Sequence, residues 1–314
     1  MLEYLRVCRP DHWLKNVFIL FGHAAAVVLV PGVWQGMPTL LWALFSLVPA
    51  CLIASANYIL NEILDAPFDR LHPTKCRRGV AAGLVKVPVL WGLKAALIAA
   101  GFGLSLRFFD GRYTVALLLL LLSGLVYNVP PLRLKDRAFL DVIAESFNNP
   151  IRLWLGWYAL VPDRGGAWPG VPLTIVLAWW SFGALLMTGK RYAEFRFIGD
   201  DQVSGSYRKS FRVYTNQSLV IAMITYANLF CFCAGLAVAT RRELHPLIWV
   251  FPMILLAIIA YFRHAMSEIG ARLEPEQLLK NPWIITATIA TTALSAWLLH
   301  TEVPVTDWLG IFPK

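Results

Sequence analysis

Residues 39–78 read TLLWALFSLVPACLIASANYILNEILDAPFDRLHPTKCRR: an apolar run that ends in evenly spaced amides and acids, followed by cations. A helix crossing a bilayer takes about 20 apolar residues at about 1.5 Å of rise each, and 39–62 is long enough. Lipid offers no hydrogen bonds to an open sheet edge, so an isolated spanning segment of this kind is helical. Eight further runs have the same character, at 17–33, 88–106, 113–129, 138–161, 172–189, 218–240, 246–262 and 283–300. Pro31-Gly32, Pro130-Pro131, Pro162, Gly165-Gly166 and Pro282 punctuate the breaks between them. The expectation is an all-α, polytopic membrane protein with about nine transmembrane helices in a single domain over 1–314. Its two longest loops fall at about 63–87 and 190–217.

Composition agrees with this reading. The 314 residues are 58% hydrophobic and 15% charged, with a mean hydropathy of +0.60; soluble chains average about 25% charged. Lys and Arg number 28 against 19 Asp and Glu, a net charge of +9. With the N-terminus inside, twenty of these cations fall in cytoplasmic segments and six outside. That asymmetry is the positive-inside signature. The basic excess is therefore topological and points to no nucleic-acid partner. The five cysteines include no CxxC pair, so they suggest core packing rather than zinc or disulfides. The first 16 residues are mixed and basic and do not resemble a cleaved signal peptide, so the first apolar run is expected to remain as a helix.

Two acidic sets carry the chemistry. Asn57, Asn61 and Asp65 recur every four residues and share one helical face. Asp69 continues the spacing, although Pro67 is expected to end or kink the helix before it. The run FLDVIAESFNNPIRLWLG contains Asp141, Glu145, Asn148, Asn149 and Arg152, again along one face. Ionisable groups inside a span are costly and usually face a polar cavity. The second span runs outward to inward and the fifth inward to outward, so both acidic sets reach the cytoplasmic level. Lys15 and Asn16, His72 with Lys75, Arg77 and Arg78, Lys190 with Arg191 and Glu194, and Arg208 with Lys209 and Arg212 lie at the same level.

Carboxylates that hold magnesium, with cations that clamp phosphate oxygens, form a diphosphate site. The reaction class is displacement of pyrophosphate from carbon, in which cations neutralise the leaving group. No HExxH, GxSxG, Walker or GxGxxG motif competes, and the six histidines are scattered. A transporter would place a polar path through both faces, whereas these polar groups gather at one.

Arg9-Pro10-x-x-Trp13-x-Lys15-Asn16, Asn61-x-x-x-Asp65-x-x-x-Asp69 with His72-Pro73-x-Lys75, and Lys190-Arg191-Tyr192-x-Glu194 resemble the UbiA superfamily of membrane transferases. Within it they are most similar to the branch that acts on polyprenyl phosphates. The likeness runs from the N-terminus to about residue 215. It departs at Glu62, where the family usually has Asp, and at Gly79, where it usually has Pro.

The resemblance implies nine helices around a cytoplasm-facing cavity in the plasma membrane. It also implies magnesium-dependent transfer of 5-phosphoribose from phosphoribosyl pyrophosphate to a polyprenyl phosphate, in the supply of cell-wall arabinan precursors. By the same carry-over Asp65, Asp69 and Glu145 are catalytic; Asp65 and Asp69 hold Mg2+ with Asn61 assisting, and Glu145 acts either as a metal ligand or by holding the ribose hydroxyls. Substrate contacts fall to Lys15, Asn16, His72, Lys75, Arg77, Asp141, Arg152, Lys190, Arg191, Glu194 and Arg208. The alternative is a prenyltransferase of the same superfamily, moving a prenyl group from its diphosphate to an aromatic or other small acceptor. A homo-oligomer is left open.

Overall fold

The computed structural model describes residues 2–70, 75–161, 170–198, 209–267 and 282–301. Every regular element among them is helical. Their contacts group into two compact units, Met1–Val171 with Gln202–Val213, and Pro172–Asp201 with Tyr214–Lys314.

The first unit holds α1 (Leu2–Val7), a 3-10 stretch Pro10–Phe18, α2 (Ile19–Leu29), α3 (Met37–Phe45), α4 (Leu47–Asp69), α5 (Val87–Phe108), α6 (Gly111–Asn128), α7 (Leu140–Ser146) and α8 (Asn148–Leu160). α4 packs on α5 and α6, and α8 packs on α2 and α6. Ile19, Ile53, Leu117, Leu120, Ile151 and Leu155 form their common core, one or two side chains from each of α2, α4, α6 and α8. Gly22 and Gly156 set the α2–α8 crossing: a Cβ on Gly22 would strike the Leu153 carbonyl, and one on Gly156 the Ile19 carbonyl. Small residues at such a crossing let two helix backbones meet, the usual device where lipid supplies no hydrophobic drive between helices.

Polar groups tie the other junctions. Asp110 caps α6 by accepting from the Tyr113 backbone N–H at 2.9 Å. The Tyr113 hydroxyl then donates to the Ser46 carbonyl at 2.6 Å, where α3 gives way to α4. Ser46 also meets the ring of buried His23 at 2.9 Å. Asn57 donates to the Leu120 carbonyl of α6 at 2.8 Å, its amide filling the space left by Gly124. Asn57 is thus interhelical glue rather than part of an open polar face.

The second unit holds α9 (Leu173–Ile198), α10 (Asn216–Thr240), a 3-10 stretch Arg242–Val250, α11 (Phe251–Met266) and α12 (Pro282–His300). α9 packs along α10. Thr215 and Ser218 form a reciprocal capping box at the start of α10. Tyr261 of α11 lies against Gly189 and donates to the Leu186 carbonyl of α9 at 2.9 Å.

Seven helical stretches among the described residues are long and apolar enough to cross a membrane: Leu2–Leu29, Met37–Asp69, Val87–Phe108, Gly111–Asn128, Leu173–Arg196, Asn216–Thr240 and Arg242–Met266. The expected count of nine is not confirmed by length. The 138–161 run forms two shorter helices, α7 and α8, and the last run contributes the shorter apolar helix Ile285–His300. Pro67 does not end α4, which continues to Asp69 with Arg70 N donating to the Ala66 carbonyl at 3.2 Å. Pro67 has no N–H to donate, so its own bond to the preceding turn is absent, but this falls in the last turn of the helix.

Candidate active site

The acidic end of α4 is the centre of the site. Asn61 and Asp65, one turn apart, both present Oδ1 to the ammonium of Lys135, which also donates to Asn128 Oδ1 at 2.9 Å. Three oxygens from α4 and α6 therefore surround one buried cation. Lys135 lies on the short turn Leu134–Asp136, which follows α6 after the Pro130-Pro131 break. Arg133 enters that turn in the left-handed region, at φ 32° and ψ 58°. A non-glycine residue there costs of order 1–3 kcal/mol, offset here by ion pairs. Arg133 meets Asp65 Oδ1 at 3.4 Å and Asp136 Oδ2 at 3.1 Å, and its guanidinium stacks over the Phe68 ring.

The second acidic set is bonded to the end of α6. The Tyr127 hydroxyl donates to Glu145 Oε2 at 3.1 Å, and Tyr127 immediately precedes the Asn128 that accepts from Lys135. Ser123, one turn earlier, donates to Asn148 Oδ1 at 2.7 Å. Consecutive residues at the end of α6 thus link the α4 acids to the α7–α8 polar face.

Two acids beside this centre have partners of their own. Asp69 is buried and receives Arg78 Nη1 at 2.7 Å. Glu62, 3% exposed, accepts from the Val80 backbone N–H at 3.2 Å and faces Arg9 at 3.8 Å. These two carboxylates pin residues 78–80 to α4. Glu62 lies one position past Asn61, about 100° around the helix, so it cannot share the Asn61–Asp65 face.

Arg152 lies deeper along α8. Its Nε donates to Asn16 Oδ1 at 3.1 Å, and the Asn16 amide donates to Cys51 Sγ at 3.2 Å. Asn16, 1% exposed, serves as an anchor for this arginine. Lys15 beside it is part-exposed, as is Lys75, whereas Arg77 is exposed. Asp141 is fully buried; it accepts from the Val142 N–H at 2.9 Å and from the Ser210 hydroxyl at 3.5 Å, holding the Lys209–Arg212 turn. In the second unit Arg191 is buried and pairs with Glu194 Oε2 at 3.0 Å, and Lys190 is part-exposed. His72 and Arg208 lie outside the described residues.

The structure therefore joins Asn61 and Asp65, brings Glu145 to the neighbouring α6 residue, and pairs Asp69 with Arg78. Lys135, Arg133, Tyr127 and Asn128 were not anticipated as site residues. Arg133-x-Lys135 was visible only as loop charge, and Tyr127-Asn128 only as the end of an apolar run. Among the described residues no three acidic, histidine or cysteine side chains gather as a metal ligand set. The oxygens around Lys135 nevertheless suit a hard cation: a carboxylate and two amides are ligands that magnesium takes.

Residues 17–285 match the model of the UbiA prenyltransferase family. The decaprenyl-phosphate phosphoribosyltransferase of Mycobacterium tuberculosis is 30% identical over 303 residues, covering 91% of this chain and 93% of that protein. The protein of the same name from Mycolicibacterium smegmatis is 28% identical over 290 residues, covering 87% and 85%. A UbiA homolog from Archaeoglobus fulgidus, solved with GPP and Mg2+, superposes with a TM-score of 0.70 at 18% identity, covering 95% of this chain and 100% of that one. The apo UbiA homolog of Aeropyrum pernix K1 gives 0.61 at 16% identity, covering 91% and 99%. With a family match over most of its length, this multi-pass membrane chain belongs to the UbiA prenyltransferase family.

Proposed function

We propose that the protein transfers 5-phosphoribose from phosphoribosyl pyrophosphate to a polyprenyl phosphate, releasing pyrophosphate, from a site facing the cytoplasm in the plasma membrane. The observation that carries this reading is the cluster at the end of α4, where Asn61, Asp65 and Asn128 surround the Lys135 ammonium beside Arg133. Support for this donor and acceptor comes from the relatives named decaprenyl-phosphate phosphoribosyltransferase, alike over about nine-tenths of the chain.

A phosphate oxygen of the lipid attacks the anomeric carbon, and the bond from that carbon to the diphosphate breaks. The electron pair leaves with pyrophosphate. A lipid phosphate is already ionised near neutral pH, so no protein base is needed to activate it. Asn61 and Asp65 would hold magnesium, which, when bound, neutralises charge on the departing diphosphate. Lys135, released from Asp65, and Arg133 would grip diphosphate oxygens. Tyr127 orients Glu145 through its hydroxyl, towards a metal or the ribose hydroxyls.

Purified protein with radiolabelled phosphoribosyl pyrophosphate, a polyprenyl phosphate and magnesium tests this directly, beside a second mixture of prenyl diphosphate and aromatic acids. Labelled lipid is expected from the first mixture. Product from the second alone would overturn the reading in favour of prenyl transfer.

A further inference from the structure

We propose that Glu62 is a positioning residue of the transfer reaction: its one buried carboxylate ties the N-terminal segment and the segment after α4 to the same turn of that helix. This rests on the reading above that the donor is a diphosphate. The cations of both segments, Lys15 on one and Lys75 and Arg77 on the other, are taken as contacts of that donor.

The N-terminal segment lies along one face of α4. Cys51 Sγ accepts from the Asn16 amide at 3.2 Å. Ser55 Oγ accepts from Trp13 Nε1 at 2.9 Å and donates to the Cys8 carbonyl at 2.9 Å. The Arg9 guanidinium lies over the Tyr58 ring, 5.7 Å from its centroid, and Arg9 Nη2 stands 3.8 Å from Glu62 Oε2. Offsets of four, seven and eleven from Cys51 put these four α4 residues in one row.

Glu62 closes the row, and its other oxygen leaves it. Oε1 accepts from the Val80 backbone N–H at 3.2 Å, so the two oxygens of one carboxylate serve different segments. Gly79 completes the junction. A methyl group there would come to 3.0 Å from Val7 Cγ2 and 3.5 Å from Glu62 Oε1, so the three meet at close range. Backbone bonds carry the anchoring outward. Arg78 N donates to the Lys75 carbonyl at 3.0 Å, Ala82 N to the Arg78 carbonyl at 2.8 Å, and Leu84 N to the Gly79 carbonyl at 2.8 Å. Lys75 and Arg77 are therefore placed by a hydrogen-bonded run that Glu62 holds.

Strain marks the other side of the junction. Arg9 has φ 48° and ψ 61° immediately before Pro10. The left-handed region is costly for a non-glycine residue, and a residue before proline is restricted further. That turn sets the direction of the Pro10–Phe18 stretch that carries Lys15. Arg78 is near enough to Arg9 to repel it, and each arginine has its own acid, Glu62 for Arg9 and Asp69 for Arg78. Stability alone does not call for this arrangement, because a well-packed apolar pair often matches a buried ion pair. The charge instead fixes how the two segments are set against each other, one residue from Asn61.

The test separates the two substrates kinetically. Glu62→Gln keeps an oxygen for the Val80 N–H but removes the charge that faces Arg9, and Arg9→Gln removes the same pair from the other side. Each should raise the KM of phosphoribosyl pyrophosphate about tenfold, within the cost of misplacing a binding group. The KM of the polyprenyl phosphate should stay within about twofold. The double variant should match the worse single one, because each loses the same contact. A role in folding alone would lower the melting temperature and the active fraction, which reduces kcat and moves neither KM. The proposal is overturned if the donor KM stays within about twofold in both variants, or if both KM values rise together. Where neither variant folds, Gly79→Ala keeps both charges, wedges one methyl group into the junction, and reads the same split. Wild-type activity with prenyl diphosphate alone would defeat the phosphoribosyl reading instead, and the split is then read on that donor's KM.

Discussion

Lys135 reaches back across seventy residues of sequence to Asp65, and its ammonium is held between that carboxylate, Asn61 and Asn128. The Lys135 side chain is 9% exposed and that of Asp65 21%. A pair this enclosed is costly to desolvate, and its energy depends on the added hydrogen bonds. Here both amides supply them, so the cation is positioned rather than merely neutralised.

Replacing either partner should therefore disable transfer. Asp65→Asn and Lys135→Met are each expected to lower kcat/KM by about 10²–10³-fold, the loss typical of one charge-stabilising group in a reaction of this kind. The double variant should fall little below the worse single one, because the two act as a unit. Steady-state rates on all three proteins check this, and full activity in Asp65→Asn would refute its role.

Removing divalent metal by chelation should abolish activity, and added magnesium should restore it. Excess chelator should leave the melting temperature of substrate-free protein nearly unchanged, since Lys135 already satisfies the Asp65 carboxylate without a metal. Calorimetry before and after chelation makes the comparison.

Arg78 and Asp69 should behave as a structural couple. A double-mutant cycle with Arg78→Gln and Asp69→Asn is expected to give a coupling of about 0.5–3 kcal/mol in unfolding free energy, the range found for directly bonded partners. Limited proteolysis should cut near residues 78–86 faster in either single variant, because that segment is tied to α4 through Asp69 and Glu62.

Tyr127→Phe removes the hydroxyl that orients Glu145 and leaves the ring in place. A hydrogen bond to a charged group is worth about 1.5–3 kcal/mol. A fall in kcat of about tenfold to a hundredfold follows by transition-state arithmetic, and the melting temperature should fall as well, since the bond is already made in the substrate-free protein. Rapid-quench measurement of pyrophosphate release reads it.

Gly22→Ala and Gly156→Ala should each destabilise the first unit by about 1–3 kcal/mol or more, the cost of overpacking, because the new methyl group meets a facing backbone carbonyl rather than a yielding side chain. Thermal denaturation in detergent is the measurement. Substrate affinity should weaken as well, since the same α2–α8 crossing brings Asn16 to Arg152.

Much of this architecture is written in local chemistry. Apolar runs of bilayer length must become helices, so the helical class and the membrane setting follow from residues such as 39–62 alone. The four-residue spacing of Asn61 and Asp65 places them on one face whatever surrounds them. Helix lengths are less legible: 138–161 reads as one span but divides near Ser146–Asn148, and Pro67 reads as an end where only one backbone bond is missing. Partner choice is not local at all. Asp69 has the same spacing as Asp65, yet it faces Arg78 on the segment that follows, while Asp65 meets a lysine from beyond α6. That difference arises from the break after α6 and the left-handed turn at Arg133, which return Lys135 over the end of α4. Sequence alone determined that acids and amides would share a face at the end of α4 in a helical membrane protein. Only the tertiary structure decided which cation each acid holds, because those bonds join helices whose crossings depend on packing far from the charges themselves.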